Sequence, residues 1–511
     1  MDKDLRAIQE SRDRVAAASK AAFAMLDLDQ RQTDSIVKAM AEAALANAEK
    51  LAQMAWSETG YGKVGDKLQK NMFAAKNVYQ AIAPMQTVGI INRDRRLKTF
   101  DVAVPMGVIA AIIPSTNPTS TTIYKLLIAV KGRNAVVVSP HPAARTAISA
   151  TVDIMAQAAR QAGAPADIIS VLSENSMAGT DALFTHPQTA MILATGGSAM
   201  VRAAYRSGRP AIGVGPGNVP AFIEKSADIP QAVADIVSGK AFDNGVICAS
   251  EQSAVVEKSI DDKVRKEFTR NRAHFCSAEE KKRLQNFMIK ADGSLHTAVV
   301  GKSPQWLAGQ AGFNVAEDTS ILVVELASVG KNDPLSCEKL SPVLGYYIVD
   351  NWESGCQRAI EILNYGGIGH TLAIHSRNDK IVEEFALHKP AFRIVVNSPA
   401  THGAIGLSTN LMPAMTLGPG AVGGSSSSDN ISPLHLINIK HVAYGVRKVA
   451  ALSLQSSRTA GNNLASASTG DVKKRIENEV MALLKAEEKQ THNTEHADRA
   501  VNAVIERLRK G

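Results

Sequence analysis

The segment Phe242-Asp243-Asn244-Gly245-Val246-Ile247-Cys248-Ala249-Ser250-Glu251-Gln252 places a cysteine after an Asn-Gly turn and before a Val-rich stretch. Attack on a carbonyl needs a thiol at an exposed turn, with backbone N–H groups nearby for the developing oxyanion. A buried, inert thiol is the commoner role of cysteine, so this segment alone leaves both roles open. A second segment, Pro114-Ser115-Thr116-Asn117-Pro118-Thr119-Ser120, stiffens a loop with two prolines and presents the Asn117 carboxamide. A rigidly held amide suits an oxyanion hole. The same residues also read as an Asx turn before a helix capped by Thr119 or Ser120. Two glycine-rich turns follow, Thr195-Gly196-Gly197-Ser198 and Gly213-Val214-Gly215-Pro216-Gly217-Asn218. The first fits a strand-to-helix turn beside a pyrophosphate, where glycine lets backbone N–H groups approach. It does not match GxGxxG and reads equally as an ordinary tight turn.

These residues need a scaffold. Residues 5–85 are Ala-rich with apolar positions at helical spacing, as in 35–54, and predict helices. Residues 87–104 read as extended, with a basic interruption at Arg93-Asp94-Arg95-Arg96. Short apolar runs then alternate with helical stretches. Strands are expected at 108–113, 135–138, 168–172, 190–193 and 211–214, with helices at 120–130 and 143–162. A second alternating region predicts strands at 253–256, 321–324, 346–349, 372–374 and 393–396. Such alternation implies βαβ units and a doubly wound parallel sheet, hence an α/β fold class. Gly423–Ser428 reads as a loop, and 433–450 as a further extended arm.

A chain of 511 residues predicts two or three domains. It has no apolar run long enough for a membrane helix and no signal-like start, so no membrane partner is expected. Four cysteines, Cys248, Cys276, Cys337 and Cys356, form no CxxC pair, and no His/Cys cluster has zinc-ligand spacing. Free thiols fit a reducing, cytoplasmic setting, and no metal is expected. The net charge of +8 raises nucleic acid as a partner. The charges are dispersed and only 5% of residues are aromatic, so that partner is rejected in favour of a polyanionic small molecule.

Taken in order, several blocks make the chain similar to the aldehyde dehydrogenase superfamily, and within it to the CoA-acylating branch. That branch includes the aldehyde dehydrogenase half of bifunctional aldehyde–alcohol dehydrogenases and the propionaldehyde dehydrogenases of bacterial microcompartments. The blocks are 104–108, 113–120, Ser139-Pro140-His141-Pro142, Leu193-Ala194-Thr195-Gly196-Gly197, 242–252, Glu338-Lys339-Leu340-Ser341-Pro342 and Gly366-Gly367-Ile368-Gly369-His370-Thr371. They span about residues 5–450. The resemblance implies an aldehyde dehydrogenase-like fold with a Rossmann-like NAD domain, an α/β catalytic domain and a small extended oligomerisation arm. The expected boundaries are 1–245 for NAD and CoA binding (with the arm at about 87–104), 246–432 for the catalytic cysteine domain, 433–455 for the oligomerisation arm and 456–511 for a linker and amphipathic tail.

It also implies roles. Cys248 attacks the aldehyde, and Asn117 with the Cys248 N–H holds the oxyanion. NAD takes the hydride and leaves a thioester on Cys248. Thr195, Gly196 and Gly197 lie by the cofactor pyrophosphate, and Glu338 binds the nicotinamide ribose. Pro114, Ser115, Thr116, Ser139, His141, Gly213, Val214, Gly215 and Pro342 complete the expected cofactor-binding set. His370 falls near the cleft, either orienting a thiol or acting as a base, or else simply packed; His402 carries less weight.

Two departures from the family pattern matter. Hydrolytic members carry a glutamate that activates water in the turn where this chain has Gly213. Without that base a thioester outlives attack by water, and a thiol such as that of coenzyme A can take the acyl group. Glu251 or Asp243 acting as a base from another direction stays open. Many hydrolytic members also place a lysine where this chain has Ser139. NAD is preferred on family grounds, with NADP open, and His141 and Arg145 are near enough in sequence to offer charge to a phosphate.

The resemblance fades after about residue 450. Residues 456–470 have a Ser/Asn/Ala/Gly/Thr linker composition. Two stripes follow, Val472-Ile476-Val480-Leu483-Leu484 and Val501-Val504-Ile505-Leu508, each on an otherwise charged helix. Microcompartment enzymes carry such extensions to dock on shell or cargo. The helices packing on the enzyme's own homodimer or homotetramer is the other reading. Acetaldehyde and propionaldehyde are the expected substrates, with sulfoacetaldehyde or a hydrolytic activity as alternatives.

Overall fold

The computed structural model describes residues 2–174 and 176–447, with Lys474, Asn478 and Met481 as single helical positions beyond them. Met1–Tyr444 form one compact unit and Gly445–Gly511 a second. The linker and the two amphipathic stripes expected at 456–511 fall outside the described residues. Among the described residues no helix is long and apolar enough to cross a membrane.

The first unit opens with helices Lys3–Ala24, Gln30–Ala46, Ala48–Thr59 and Val64–Met72. The second starts on a capping box between Asp29 and Gln32, which satisfies N–H groups that helix geometry would leave unpaired. Val64–Met72 runs on into π-helical Phe73–Val78 and then Tyr79–Ile82. Small and apolar side chains such as Val15, Ala18, Met40 and Leu51 are fully buried on their inner faces.

Strands β1 (Gly89–Asp94), β2 (Thr99–Pro105), β3 (Val108–Ile113), β4 (Ala135–Pro140), β5 (Ile169–Val171), β6 (Thr189–Thr195) and β7 (Ala211–Val214) come next. The last five form one parallel sheet in the order β5-β4-β3-β6-β7. Helix Pro118–Lys131 joins β3 to β4, and Ser198–Arg206 joins β6 to β7. All six residues of β3 and of β4 are buried, as expected for strands covered on both faces. The strand order reverses between β3 and β6, so the Pro114 loop and the Thr195-Gly196 turn leave adjacent strand ends. That is the crevice where doubly wound sheets bind ligands.

The second sheet contains β8 (Val219–Ile223), β9 (Glu251–Glu257), β10 (Ala273–Phe275), β11 (Ile321–Glu325), β12 (Val343–Val349), β13 (Leu372–His375) and β14 (Ile394–Val396). Its order is β10-β11-β12-β9-β8-β13-β14, parallel throughout. The change of sheet therefore falls between Val214 and Val219, not at the 245/246 boundary expected from sequence. The strand at 219–223 has no counterpart in the sequence reading, because Pro220 disguises it. Finally β15 (Ile437–Ala443) pairs antiparallel along β2, and β1 pairs on the other side. The parts of the expected extended stretches at 89–94, 99–105 and 437–443 thus meet in a single three-stranded sheet, while Pro433–Leu436 is a 3-10 turn and 448–450 lie outside the described residues.

Candidate active site

Helix Ile229–Ala241 ends directly before the cysteine segment. The chain then turns through three left-handed residues, Asp243 (φ 47°), Asn244 (φ 54°) and Gly245 (φ 71°). Asn and Asp are the side chains that best tolerate this conformation, and Gly adopts it freely. The turn is crowded: a Cβ on Gly245 would lie 2.7 Å from the Ser341 carbonyl oxygen. The turn delivers Cys248, half-buried, just ahead of β9. Burial and the Glu338 carboxyl push the thiol up to about 12, against Arg393 and the backbone N–H groups of Cys248 and Ala249. The resting thiol is protonated, and N–H donors already face the sulfur.

Asn117 sits at the cap position of helix Pro118–Lys131, but its side chain makes no capping bond, and neither Thr119 nor Ser120 starts the helix. Its Oδ1 accepts from Lys70 Nζ at 2.6 Å, and its Nδ2 donates to Thr116 Oγ1 at 3.2 Å. Lys70 also pairs with Asp243. The Asp243 carboxylate further accepts from the Lys63 N–H at 2.7 Å and from Lys67 Nζ at 3.1 Å. Burial and neighbouring Lys70 lower Lys67 to about 8, despite its contact with Asp243.

The turn after β7 brings the remaining groups together. A Cβ on Gly217 would lie 2.2 Å from the Cys248 carbonyl oxygen and 3.3 Å from the His370 ring. Gly217 N–H donates to Glu338 Oε1 at 3.1 Å. Burial raises Glu338 to about 7, with that N–H, Lys240 and Lys339 opposing. His370 Nδ1 pairs with Thr371 Oγ1 at 2.9 Å, and its Nε2 is buried without a partner. Burial and Arg393 lower His370 to about 3, so the imidazole is neutral. Arg393 itself grips the His370 carbonyl at 3.0 Å.

At the crevice, Thr195 Oγ1 is buried with no partner, while Gly196 and Gly197 face open space. Gly197 caps helix Ser198–Arg206. An orphan hydroxyl and bare backbone at a helix N-terminus fit a dinucleotide pyrophosphate. Pro114, Ser115 and Thr116 are half-buried on the neighbouring loop. Val214 is buried and Gly215 half-buried in the turn after β7. Ser139 is buried, its hydroxyl 3.2 Å from Thr180 Oγ1. His141 is exposed and accepts the Ala143 N–H at 3.1 Å, acting as a turn cap. Arg145 reaches the Ser173 carbonyl at 3.2 Å. Pro342 is buried, its carbonyl accepting from Leu322 N–H at 2.8 Å between strands.

Gly213 lies inside β7, and a Cβ there would meet Val201 at 2.5 Å and Tyr205 at 2.8 Å. Glu251 is fully buried, accepting from Ala400 N–H at 2.5 Å and Thr401 Oγ1 at 3.2 Å. Asp243 is held by three cationic or N–H donors. Neither carboxylate considered as a replacement base is free. Sequence reasoning did not single out Lys67, Lys70 or Arg393. Lysines three residues apart on a helix look like a solvated face, and nothing local marks them as buried.

A thiol at a turn tip, an amide linked to that turn through Lys70 and Asp243, and a nucleotide-type crevice fit one class of protein, the cysteine-dependent α/β oxidoreductases of aldehydes. The model described as "Aldehyde dehydrogenase family" matches residues 6–282, and the chain belongs to that family. It is 44% identical over 434 residues to the bifunctional aldehyde-alcohol dehydrogenase of Escherichia coli (strain K12), covering 84% of this chain and 49% of the relative. The chain thus spans about half the length of the curated relatives it matches first. An acetylating aldehyde dehydrogenase from Geobacillus thermoglucosidasius is 48% identical with a TM-score of 0.87, covering 88% of this chain and 99% of that one. A Rhodopseudomonas palustris propionaldehyde dehydrogenase, solved with bound CoA and an acylated cysteine, is 28% identical with a TM-score of 0.77, covering 85% and 97%.

Proposed function

We propose that the protein oxidises a short-chain aldehyde, acetaldehyde or propionaldehyde, and releases the acyl group as an acyl-CoA. The observation that carries this reading is the packed Gly213 site, where a water-activating side chain has no room. The Geobacillus and Rhodopseudomonas proteins support it, the first named as acetylating and the second holding CoA.

In this reading Cys248 Sγ adds to the aldehyde carbon, and its proton leaves to solvent. The oxyanion sits between Asn117 Nδ2 and the Cys248 N–H. Thr195, Gly196, Gly197 and Glu338 would hold NAD, which would supply the acceptor for the hydride lost from the carbon bonded to Cys248, so that a thioester remains on Cys248. Neutral His370, with Nε2 unpartnered, orients the CoA thiol as its sulfur attacks the thioester carbon, and the thiol proton passes to the departing Cys248 sulfur. The C–S bond to Cys248 then breaks, and acyl-CoA departs. A carboxylate is the expected partner for ribose hydroxyls, which fits Glu338. Small, neutral Ser139 at the end of β4 fits NAD and leaves NADP to be distinguished by kinetics.

The reading extends to assembly. In the three-stranded sheet β1 and β15 are open edges, and Ile90, Leu97, Ile439 and Tyr444 are 38–61% exposed. Exposed edges and apolar side chains favour pairing with a second copy, as a homodimer or homotetramer. The 456–511 tail is assigned to docking on microcompartment shell or cargo, on its sequence pattern.

The deciding experiment follows NADH formation over a panel of aldehydes with and without CoA, with product identification. CoA-dependent turnover yielding acyl-CoA is expected. Equal rates without CoA, with free acid as product, overturn the reading.

A further inference from the structure

Helix Val64–Met72 carries three polar side chains that are nearly inaccessible, Lys67, Lys70 and Asn71. Two of them reach the catalytic loop. Lys70 Nζ donates to Asn117 Oδ1 at 2.6 Å, and Asn71 Oδ1 accepts from Thr119 Oγ1 at 2.7 Å. The helix thus grips the oxyanion-donor loop on both sides of Pro118. Lys70 has a second tie, to the Asp243 carboxylate in the left-handed turn that delivers Cys248. One ammonium joins the segment carrying the amide donor to the segment carrying the nucleophile.

An ammonium has donors and no acceptor, so only the amide oxygen of Asn117 can face it. That settles the orientation of the carboxamide: Oδ1 points back to Lys70, and Nδ2 points away from it. An unpinned asparagine could present its oxygen to the developing oxyanion, which would repel it. The cation also polarises the amide, making its N–H groups better donors in a site of low dielectric. The helix leaves α-geometry for π-geometry at Phe73, immediately after these residues, and π-bulges concentrate at functional sites.

We infer that Lys70 is the positioning residue of the oxyanion hole: it orients and polarises Asn117, and the Asp243 carboxylate holds the ammonium in place. The inference rests on the reading of Cys248 and Asn117 given above, and it deepens that reading.

The test uses a reaction that needs no aldehyde, NAD or CoA. With p-nitrophenyl acetate, Cys248 Sγ bonds to the acetyl carbon through an oxyanion. The ester C–O bond breaks, and the thiol proton leaves with nitrophenol. The nitrophenolate burst reports this step on the full chain. Lys70→Met is expected to slow the burst about 10- to 100-fold, less than the ~10²–10³-fold of losing a donor outright. In an Asn117→Ala background the same substitution should change it less than about twofold, because its target is gone. Alkylation of Cys248 by iodoacetamide forms no oxyanion and should proceed alike in wild type and Lys70→Met.

Additive effects in the two backgrounds overturn the inference. So does an equal loss in the iodoacetamide reaction, which would mean that the cysteine turn itself has moved. If Lys70→Met does not fold, Lys70→Arg keeps the charge and carries the same comparison. It should retain more of the burst than Asn117→Ala does, and failure to do so counts against the inference. A protein that passes these tests yet shows no CoA dependence sinks the acyl-acceptor reading alone.

Discussion

The Gly213 N–H donates to the Tyr205 hydroxyl oxygen at 2.9 Å, and the ring of that same tyrosine fills the space a side chain at 213 would take. Position 213 is therefore closed by the packing of β7 against its covering helix, and a carboxylate placed there is not expected to find the environment of a water-activating base. Gly213→Glu is expected to destabilise the protein by about 1–3 kcal/mol through overpacking. It should produce no free acid beyond the wild-type level. Thermal melts and product analysis check this; free acid formed as fast as acyl-CoA would show that residue identity alone decides the acceptor.

Cys248 is expected to be indispensable, and Cys248→Ala should abolish NADH formation without disturbing the fold. The thiol, pushed up to about 12 by burial and Glu338, stays protonated at neutral pH. Thiolate is the reactive form, so iodoacetamide alkylation of the cofactor-free protein should rise about tenfold per pH unit from about pH 6 to 9. A plateau in that range, read by mass spectrometry of the Cys248 peptide, would mean that the free protein already holds a thiolate.

Much of this was legible in the residues. The Asn-Gly turn before Cys248 and the run of apolar β3 carry their geometry locally, and the structure matches them closely. What was hidden is tertiary. Strand β8 contains Pro220 and follows a Gly-Pro turn, so its pattern reads as loop until β9 and β13 flank it. Lys67 and Lys70 look like surface charge until Asp243 arrives from far along the chain. Asn117 itself reads as an Asx turn or a donor; its side chain makes no capping bond and its Oδ1 accepts from Lys70, a contact no local pattern announces.

Asn117→Ala is expected to lower kcat by about 10²–10³-fold, as losing one preorganised donor does. Affinity for the nicotinamide cofactor should change little, since Thr195, Gly196, Gly197 and Glu338 are untouched. Steady-state kinetics with a cofactor titration separate the two quantities. A kcat within twofold of wild type would reduce Asn117 to a turn residue.

His370 is lowered to about 3 by burial and Arg393, far below its ordinary value of about 6.5. A group depressed in this way stays neutral throughout the working range and gains its proton only as pH falls towards 3. Acyl transfer to CoA should therefore show no inflection near pH 6.5. His370→Ala should slow acyl transfer while leaving the NADH burst, which precedes it. Equal loss in both phases of a rapid-mixing experiment would assign His370 to packing.

The tail makes the last prediction. Residues 456–470 lack apolar periodicity and cannot build a core. Beyond them the sequence reads as two helices, each with an apolar stripe too narrow to be stable alone. Such helices need a partner, either the enzyme's own surface or a groove on another protein. The candidate site is assembled from residues within Met1–Tyr444, so catalysis is expected not to call on the tail. Deleting residues 456–511 should leave activity and oligomeric state unchanged, as read by NADH assays and light scattering. The same residues fused to a soluble reporter should carry it to microcompartment shell or cargo. Ile505→Glu or Leu508→Glu should abolish that transfer, because each puts a charge where a groove expects an apolar side chain. If deletion instead dissociates the oligomer or removes activity, the stripes pack on the enzyme itself, and the docking role is wrong.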